Sequence, residues 1–172
     1  MRSRIGDNSL LRLGARFWLA TALSIIAVST PAAAGTYFSF DLGPQLGGFL
    51  DRDSLSGPPS GRTVWEYVAY ADDQTLPASG KTYVVLAALE EWNCEDRTYR
   101  TTSSIAYTSE GEAVSSDDAP TGWKDAAPSS NADKIRELVC TESSWPSAPF
   151  YTGSLRGLRD EYLKGLGESS PP

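Results

Sequence analysis

Two cysteines, Cys94 and Cys140, constrain this chain more than any other pair of residues, because it has no others. Two cysteines in an oxidising compartment pair. Pairing would bring their Cα atoms within about 7 Å. The bridge would close a loop of 45 intervening residues, and loop-closure entropy then stabilises the fold by roughly 4 kcal/mol, less any native strain. The competing readings are two free thiols or a metal pair. A metal pair lacks the close spacing and neighbouring ligands such sites need.

The compartment is read from the N-terminus. Arg2, Arg4, Arg12 and Arg16 form a basic leader, Phe17 to Val28 is apolar apart from Thr21 and Ser24, and Ala32-Ala33-Ala34 follows Pro31. This is the three-part layout of a cleavable secretory signal, with the cut expected between Ala34 and Gly35. A membrane anchor is the alternative, but twelve residues reach only about 18 Å, against ~30 Å of hydrocarbon. No later stretch is apolar and long enough to span a bilayer, and no Cys at the cut offers a lipid anchor. The expected organisation is a signal over 1–34, a domain over 35–140, and a C-terminal extension over 141–172 with one helix. The net charge of −7 becomes about −10 once four Arg and one Asp leave with the signal. Such a chain is repelled by nucleic acid and anionic lipid. It suits a basic partner, or is simply soluble.

The chain contains no His, and Met1 is its only Met. That removes the usual general base, the His-containing triads and the commonest zinc and haem ligands. No glycine-rich phosphate loop and no nucleophile elbow is found. Carboxylate-only hydrolysis passes this filter. Its obvious pair, Glu90-Glu91, would point to opposite faces of a strand. Asp72-Asp73 and Asp117-Asp118 read as solvated loop charges, and Asp51-x-Asp53 lacks the later Gly and Glu of a calcium loop. No catalytic residue, metal site or cofactor is expected.

Along the body, Tyr37, Phe38 and Phe40 precede the Gly43-Pro44 break and suggest one strand, with another starting at Gly48 to Asp51. A dense turn, Ser56 to Gly61, leads to a strand over Arg62 to Tyr70. Ala71 to Gly80 reads as loop. Thr82 to Cys94 reads as the longest strand, and Glu95-Asp96 turns it into Thr98 to Thr108, an antiparallel hairpin. Glu110 to Asn131 reads as mostly loop. Ser130 or Asn131 can cap a helix over Ala132 to Val139, with Ser130-x-x-Asp133 as a capping box. The bridge would pin this helix to the end of the long strand. A second helix, Ser154 to Leu166, carries Leu155, Leu158, Tyr162 and Leu166 on one face, for packing on its own domain or for a homodimer. The fold class is α+β: an antiparallel sheet of five or six strands, a short disulfide-pinned helix and a C-terminal amphipathic helix. Tyr107, Trp123 and Trp145 lie on or beside loops and are candidate binding anchors. Trp145, in a Pro-flanked loop, is expected to make contact, and Trp123 to belong to the core.

The order of these features resembles the surface-adhesin protein E family of exported bacterial proteins. The residues that carry it are Phe49-Leu50-Asp51 with Ser54-Leu55, then Val64-Trp65, Asn93-Cys94-x-x-Arg97, Tyr107 before Gly111, Trp123, Pro128-Ser129 and a short helix closing at Cys140. The resemblance spans about residues 47 to 140. It implies an antiparallel sheet with one helix held by the disulfide, and adhesion to host matrix and serum proteins. Haem binding, reported in the family, would here fall to a Tyr ligand or to none. The expected function is that of an exported, non-enzymatic binding protein recognising a protein or glycan of the host or the envelope. The alternative is a periplasmic inhibitor of a basic hydrolase such as lysozyme.

Overall fold

The computed structural model describes residues 34–168. The expected signal sequence therefore lies outside the described residues, apart from Ala34 at the cut. Gly35 opens the first strand. Among the described residues, eight strands form one antiparallel sheet: β1 (Gly35–Leu42), β2 (Leu46–Ser56), β3 (Arg62–Thr75), β4 (Thr82–Asn93), β5 (Thr98–Tyr107), β6 (Ala113–Asp117), β7 (Lys124–Asp125) and β8 (Tyr151–Gly153). Their spatial order is β6-β5-β4-β3-β2-β1-β8, with β7 also pairing β5. The chain thus meanders across the sheet and returns at its end to pair β8 with β1.

The strand count exceeds the five or six expected, for local reasons. β6 pairs Ser104 to Tyr107 while β7 pairs Thr98 and Tyr99, so two short pieces of an apparent loop share one edge of β5. Their side chains are largely exposed, which leaves no alternation to read. β3 runs on to Thr75, through residues expected to be loop, because a register shift between Ala69 and Gln74 lets the strand resume pairing with β4. A bulge of this kind breaks the period-2 pattern.

Residues directly opposite in antiparallel strands share a face, and sequence neighbours do not. Phe38, Leu50, Val64 and Trp92 lie on one face, where α1 (Asn131–Cys140) packs Ile135 and Val139 against them. Tyr37, Phe49 and Ala69 lie on the other, beneath Leu158 and Tyr162 of α2 (Leu155–Glu168). Both faces are apolar because each carries a helix, and this is why the burial side of Arg62 to Tyr70 is ambiguous in the sequence. Close approach is needed at two glycines of β2. A Cβ on Gly48 would stand 2.4 Å from the Phe40 ring, and one on Gly47 2.8 Å from that of Phe49.

Cys94 and Cys140 are bonded, with Cα atoms 5.6 Å apart. The helix they pin starts as expected: the Ser130 hydroxyl accepts from Asp133 N at 3.2 Å. The return bond comes from the Ser129 N–H, which donates to Asp133 Oδ2 at 3.1 Å, rather than from Ser130. The C-terminal stripe packs on its own sheet, with Leu158 and Tyr162 buried, so a homodimer through that stripe draws no support from it.

Candidate functional site

The face that carries α1 is only partly covered. Beside the chain that links β5 to β7 runs a cleft of about 380 Å³ whose floor is Glu66, Val68, Leu86, Ala88 and Glu90. An adjoining hollow of about 310 Å³ shares Glu66 and Val68 and reaches Tyr70, Trp92, Tyr99 and the start of α1. Register makes the floor. Val64 pairs with Glu90 and Glu66 with Ala88, so the two glutamates sit diagonally on neighbouring strands and point to the same face.

Their surroundings differ. Glu90 is 5% exposed. Its Oε1 accepts from Thr101 Oγ1 at 2.8 Å, while Oε2 is buried without a hydrogen-bond partner. Burial raises its pKa, against the opposing pull of the Thr101 hydroxyl and the Lys124 charge. Glu66 is pushed up to about 7, first by burial and then by Glu90. Two carboxylates so placed in a poorly solvated cleft resist ionising together. They either hold a proton or take up a cation.

The rim is built from β5 and the chain that follows it. Thr101 N–H donates to Thr121 Oγ1 at 3.0 Å, and Ser103 Oγ donates to Asp118 Oδ1 at 2.7 Å. Thr121 N–H returns a bond to Thr101 O at 2.9 Å. Asp117-Asp118 thus shapes the rim rather than lying free in a loop. On the α1 side, Asn131 Nδ2 donates to Asp41 Oδ2 at 2.8 Å. Trp92 and Tyr99 stack with centroids 4.7 Å apart, and Lys124 Nζ stands 6.0 Å from the Tyr99 centroid.

Glu90 and Glu91 do point to opposite faces: Glu91 Oε2 accepts from Arg100 Nε at 2.7 Å on the α2 side. Glu66 and Glu90, 24 positions apart, share the face that neighbours in sequence cannot share. The one signal of their pairing in the sequence is that both interrupt apolar strand faces. Asp51 is structural, its Oδ1 accepting from Thr36 N and Asp53 N. Among the described residues, no group of three or more His, Cys, Asp or Glu side chains could hold a metal ion.

The two tryptophans are exposed in the reverse of the expected order. Trp145, expected to make contact, is 8% exposed and sits in the core, edge-on to Phe38 at 5.0 Å. The disulfide and the short helical turn after it carry it back over the sheet. Trp123, expected in the core, is 46% exposed. It flanks the edge segment β7 and stacks on the Arg100 guanidinium, 4.7 Å from its ring centroid. Tyr107 ends β5 and packs, partly buried, against the cluster under α2. The three are not brought together, and none lines the cleft.

The fold and cleft define a class: a disulfide-closed antiparallel domain with a binding-sized hollow on its sheet. The family model of surface-adhesin protein E matches residues 45–141, more than half of the chain, and the chain belongs to that family. The crystal structure of protein E from non-typeable Haemophilus influenzae is similar at 10% identity and a TM-score of 0.45, over 78% of this chain and 90% of that one. No curated protein sequence matches the chain. The residues that carry the family resemblance are chiefly scaffold. Ser54 Oγ donates to Asp51 O and accepts from Trp65 N, bridging a shift in the β2–β3 register. Asn93 Oδ1 accepts from the N–H groups of Glu95 and Asp96 to shape the hairpin turn. Arg97, at φ 58°, reaches Asp133 of α1 at 3.1 Å. The hydrolase-inhibitor alternative draws no support from this family. Among the described residues no helix is long and apolar enough to cross a membrane.

Proposed function

We propose that this protein is an exported, non-enzymatic binding module of adhesin type that recognises a protein or glycan of the host or the cell envelope. The observation that carries this reading is the family match across residues 45–141, which takes in β3, β4, β5 and the disulfide-pinned helix together. The absence of His supports it by removing most hydrolytic machineries. An exposed Trp backed by a guanidinium offers large contact area at low entropic cost. Trp123 is therefore the proposed aromatic contact, with Tyr107 a lesser one.

The test uses chain exported by a bacterial host. Mass measurement of that chain is expected to show a start at Gly35. Immobilised on a sensor, it is expected to bind extracellular-matrix proteins at moderate salt, and to do so less well as Trp123→Ala. No binding to matrix proteins or envelope glycans would sink the binding reading. Turnover on polysaccharide or peptide panels that disappears in Glu66→Gln would show an enzyme instead.

A further inference from the structure

The cleft floor combines features that need a ligand to be reconciled. Glu90 is 5% exposed, lines the cleft, and leaves Oε2 without a partner. A carboxylate oxygen buried in this way is costly unless a positive charge or donor reaches it. Glu66 lies diagonally across on β3. Among the described residues, no hydrogen-bond donor reaches Oε2. Lys124 attracts Glu90 from the rim, but its ammonium stands over the Tyr99 ring. Arg100 is held by Glu91 on the opposite face.

The remaining lining decides what kind of cation fits. Val68, Leu86 and Ala88 form an apolar floor, and Thr101, Ser103 and Ser104 bring hydroxyls along one wall. An aliphatic stem along such a floor with a charged head at its end is the shape of a Lys or Arg side chain. The head would meet two carboxylates and hydroxyl acceptors, the arrangement in which charge-assisted hydrogen bonds are strongest. A bare metal ion would find too few ligands, since no group of three or more is present among the described residues.

We propose that the cleft walled by β5 and the chain from Asp117 to Thr121 is a recognition pocket for a lysine or arginine side chain of a partner protein, received between Glu66 and Glu90. The proposal rests on the binding-module reading and gives it a ligand chemistry. A protein ligand with an exposed basic segment is favoured over a neutral glycan. Binding of the cation would hold both glutamates ionised and release any proton they share.

The experiment titrates the disulfide-intact chain with a hexa-arginine peptide and a hexa-lysine peptide at physiological salt. Affinity is measured by calorimetry and shift changes by NMR. Glu90→Gln and Glu66→Gln are each expected to weaken binding roughly tenfold, with the largest shifts at Ala88 and Ser104. The exposed pair Asp72→Asn/Asp73→Asn removes two charges elsewhere on the sheet and is expected to change affinity less than about twofold. Equal losses in all three variants would mean a diffuse acidic surface and overturn the pocket. If Glu90→Gln does not fold, Glu66→Gln decides the outcome alone. A matrix protein that binds the Glu66→Gln chain as well as the wild type overturns the pocket and leaves the binding module standing. Peptide binding lost in the Gln variants, with no matrix protein captured, supports the pocket and counts against the adhesin reading.

Discussion

The two helices cover opposite faces of one sheet, yet they are held by different means. The shorter, α1, buries Ile135 and Val139, no more side chains than α2 buries. It is tied besides by the bridge at Cys140, the Arg62 bond to Val139 O at 2.8 Å and the ion pair of Arg97 with Asp133. The longer α2 has no covalent tie. Tyr162 and Leu158 are buried, Tyr162 Oη donates to Gly43 O at 2.8 Å, and Arg159 donates to Tyr70 O and Ala71 O. Those two carbonyls lie in the β3 register shift, where the ladder to β4 is interrupted, so a helix side chain satisfies what a bulge leaves open. The family match ends at Thr141, between the stapled helix and the packed one.

This contrast can be broken at its strongest point. Replacing both cysteines with Ser is expected to lower unfolding free energy by about 3–4 kcal/mol and to free α1 before α2. Urea denaturation followed by hydrogen exchange checks both parts. A loss below about 1 kcal/mol would mean that the polar ties alone hold α1. On the other face, Leu158→Ala is expected to cost about 3 kcal/mol, within the usual range for a fully buried Leu. Exchange protection should fall first in α2 and β8. A loss spread evenly over the sheet would mean that the two faces do not respond separately.

The parts of the fold legible in the sequence are those with strong local signals. The β4–β5 hairpin, the Ser130 cap and the bridge follow from alternation, capping chemistry and cysteine count. What was illegible is non-local. β8 is three residues long and owes its place to β1 across the whole chain. The Glu66–Glu90 pair exists only once β3 and β4 are in register, and register cannot be read when both strand faces are apolar. The tryptophans mislead for a related reason. A Pro-flanked loop suggests exposure, but Trp145 lies just beyond the bridge, which returns the chain to the core.

The next effect is smaller and depends on pH. Glu66 has its pKa raised from 4.5 to about 7 by burial and by Glu90, and Glu90 shifts in the same direction through burial. A group whose pKa is higher in the folded chain binds protons better there. Its contribution to stability is present below about pH 4.5 and is lost as pH rises through about 7. Groups facing the pair are Thr101, Lys124, Tyr99 and Asp117, with Asp41 across the adjoining hollow. Of these, Lys124 reduces the shift of Glu90. Asp133 works in the opposite sense, its pKa lowered by the Ser129 N–H and Arg136, but its effect falls below pH 3.8. Stability is therefore expected to decline by on the order of 1–3 kcal/mol between pH 5 and 8, and Glu66→Gln to flatten that slope. A wild-type profile that rises over this interval would contradict the paired burial.

The smallest expected effect on stability belongs to the aromatic ring most exposed among the described residues. Trp123 lies on the α2 side of the sheet, where Arg100 spans from Glu91 to its ring, but it is not part of the cluster under that helix. Removing it leaves the core intact and exposes a guanidinium that keeps its carboxylate partner. Trp123→Ala is therefore expected to change unfolding free energy by no more than about 0.5 kcal/mol. Trp145→Ala removes a ring packed on Phe38 and should cost about 3–5 kcal/mol. If the surface ring is a ligand contact, the same Trp123 variant weakens matrix-protein binding without moving the melting temperature. Glu66→Gln should reduce binding through the other face. Additive losses in the double variant would place two contacts on two faces. If the Trp123 change lowers the melting temperature by several degrees instead, the ring is part of the packing of the β5 edge, and the cleft remains as the sole candidate surface.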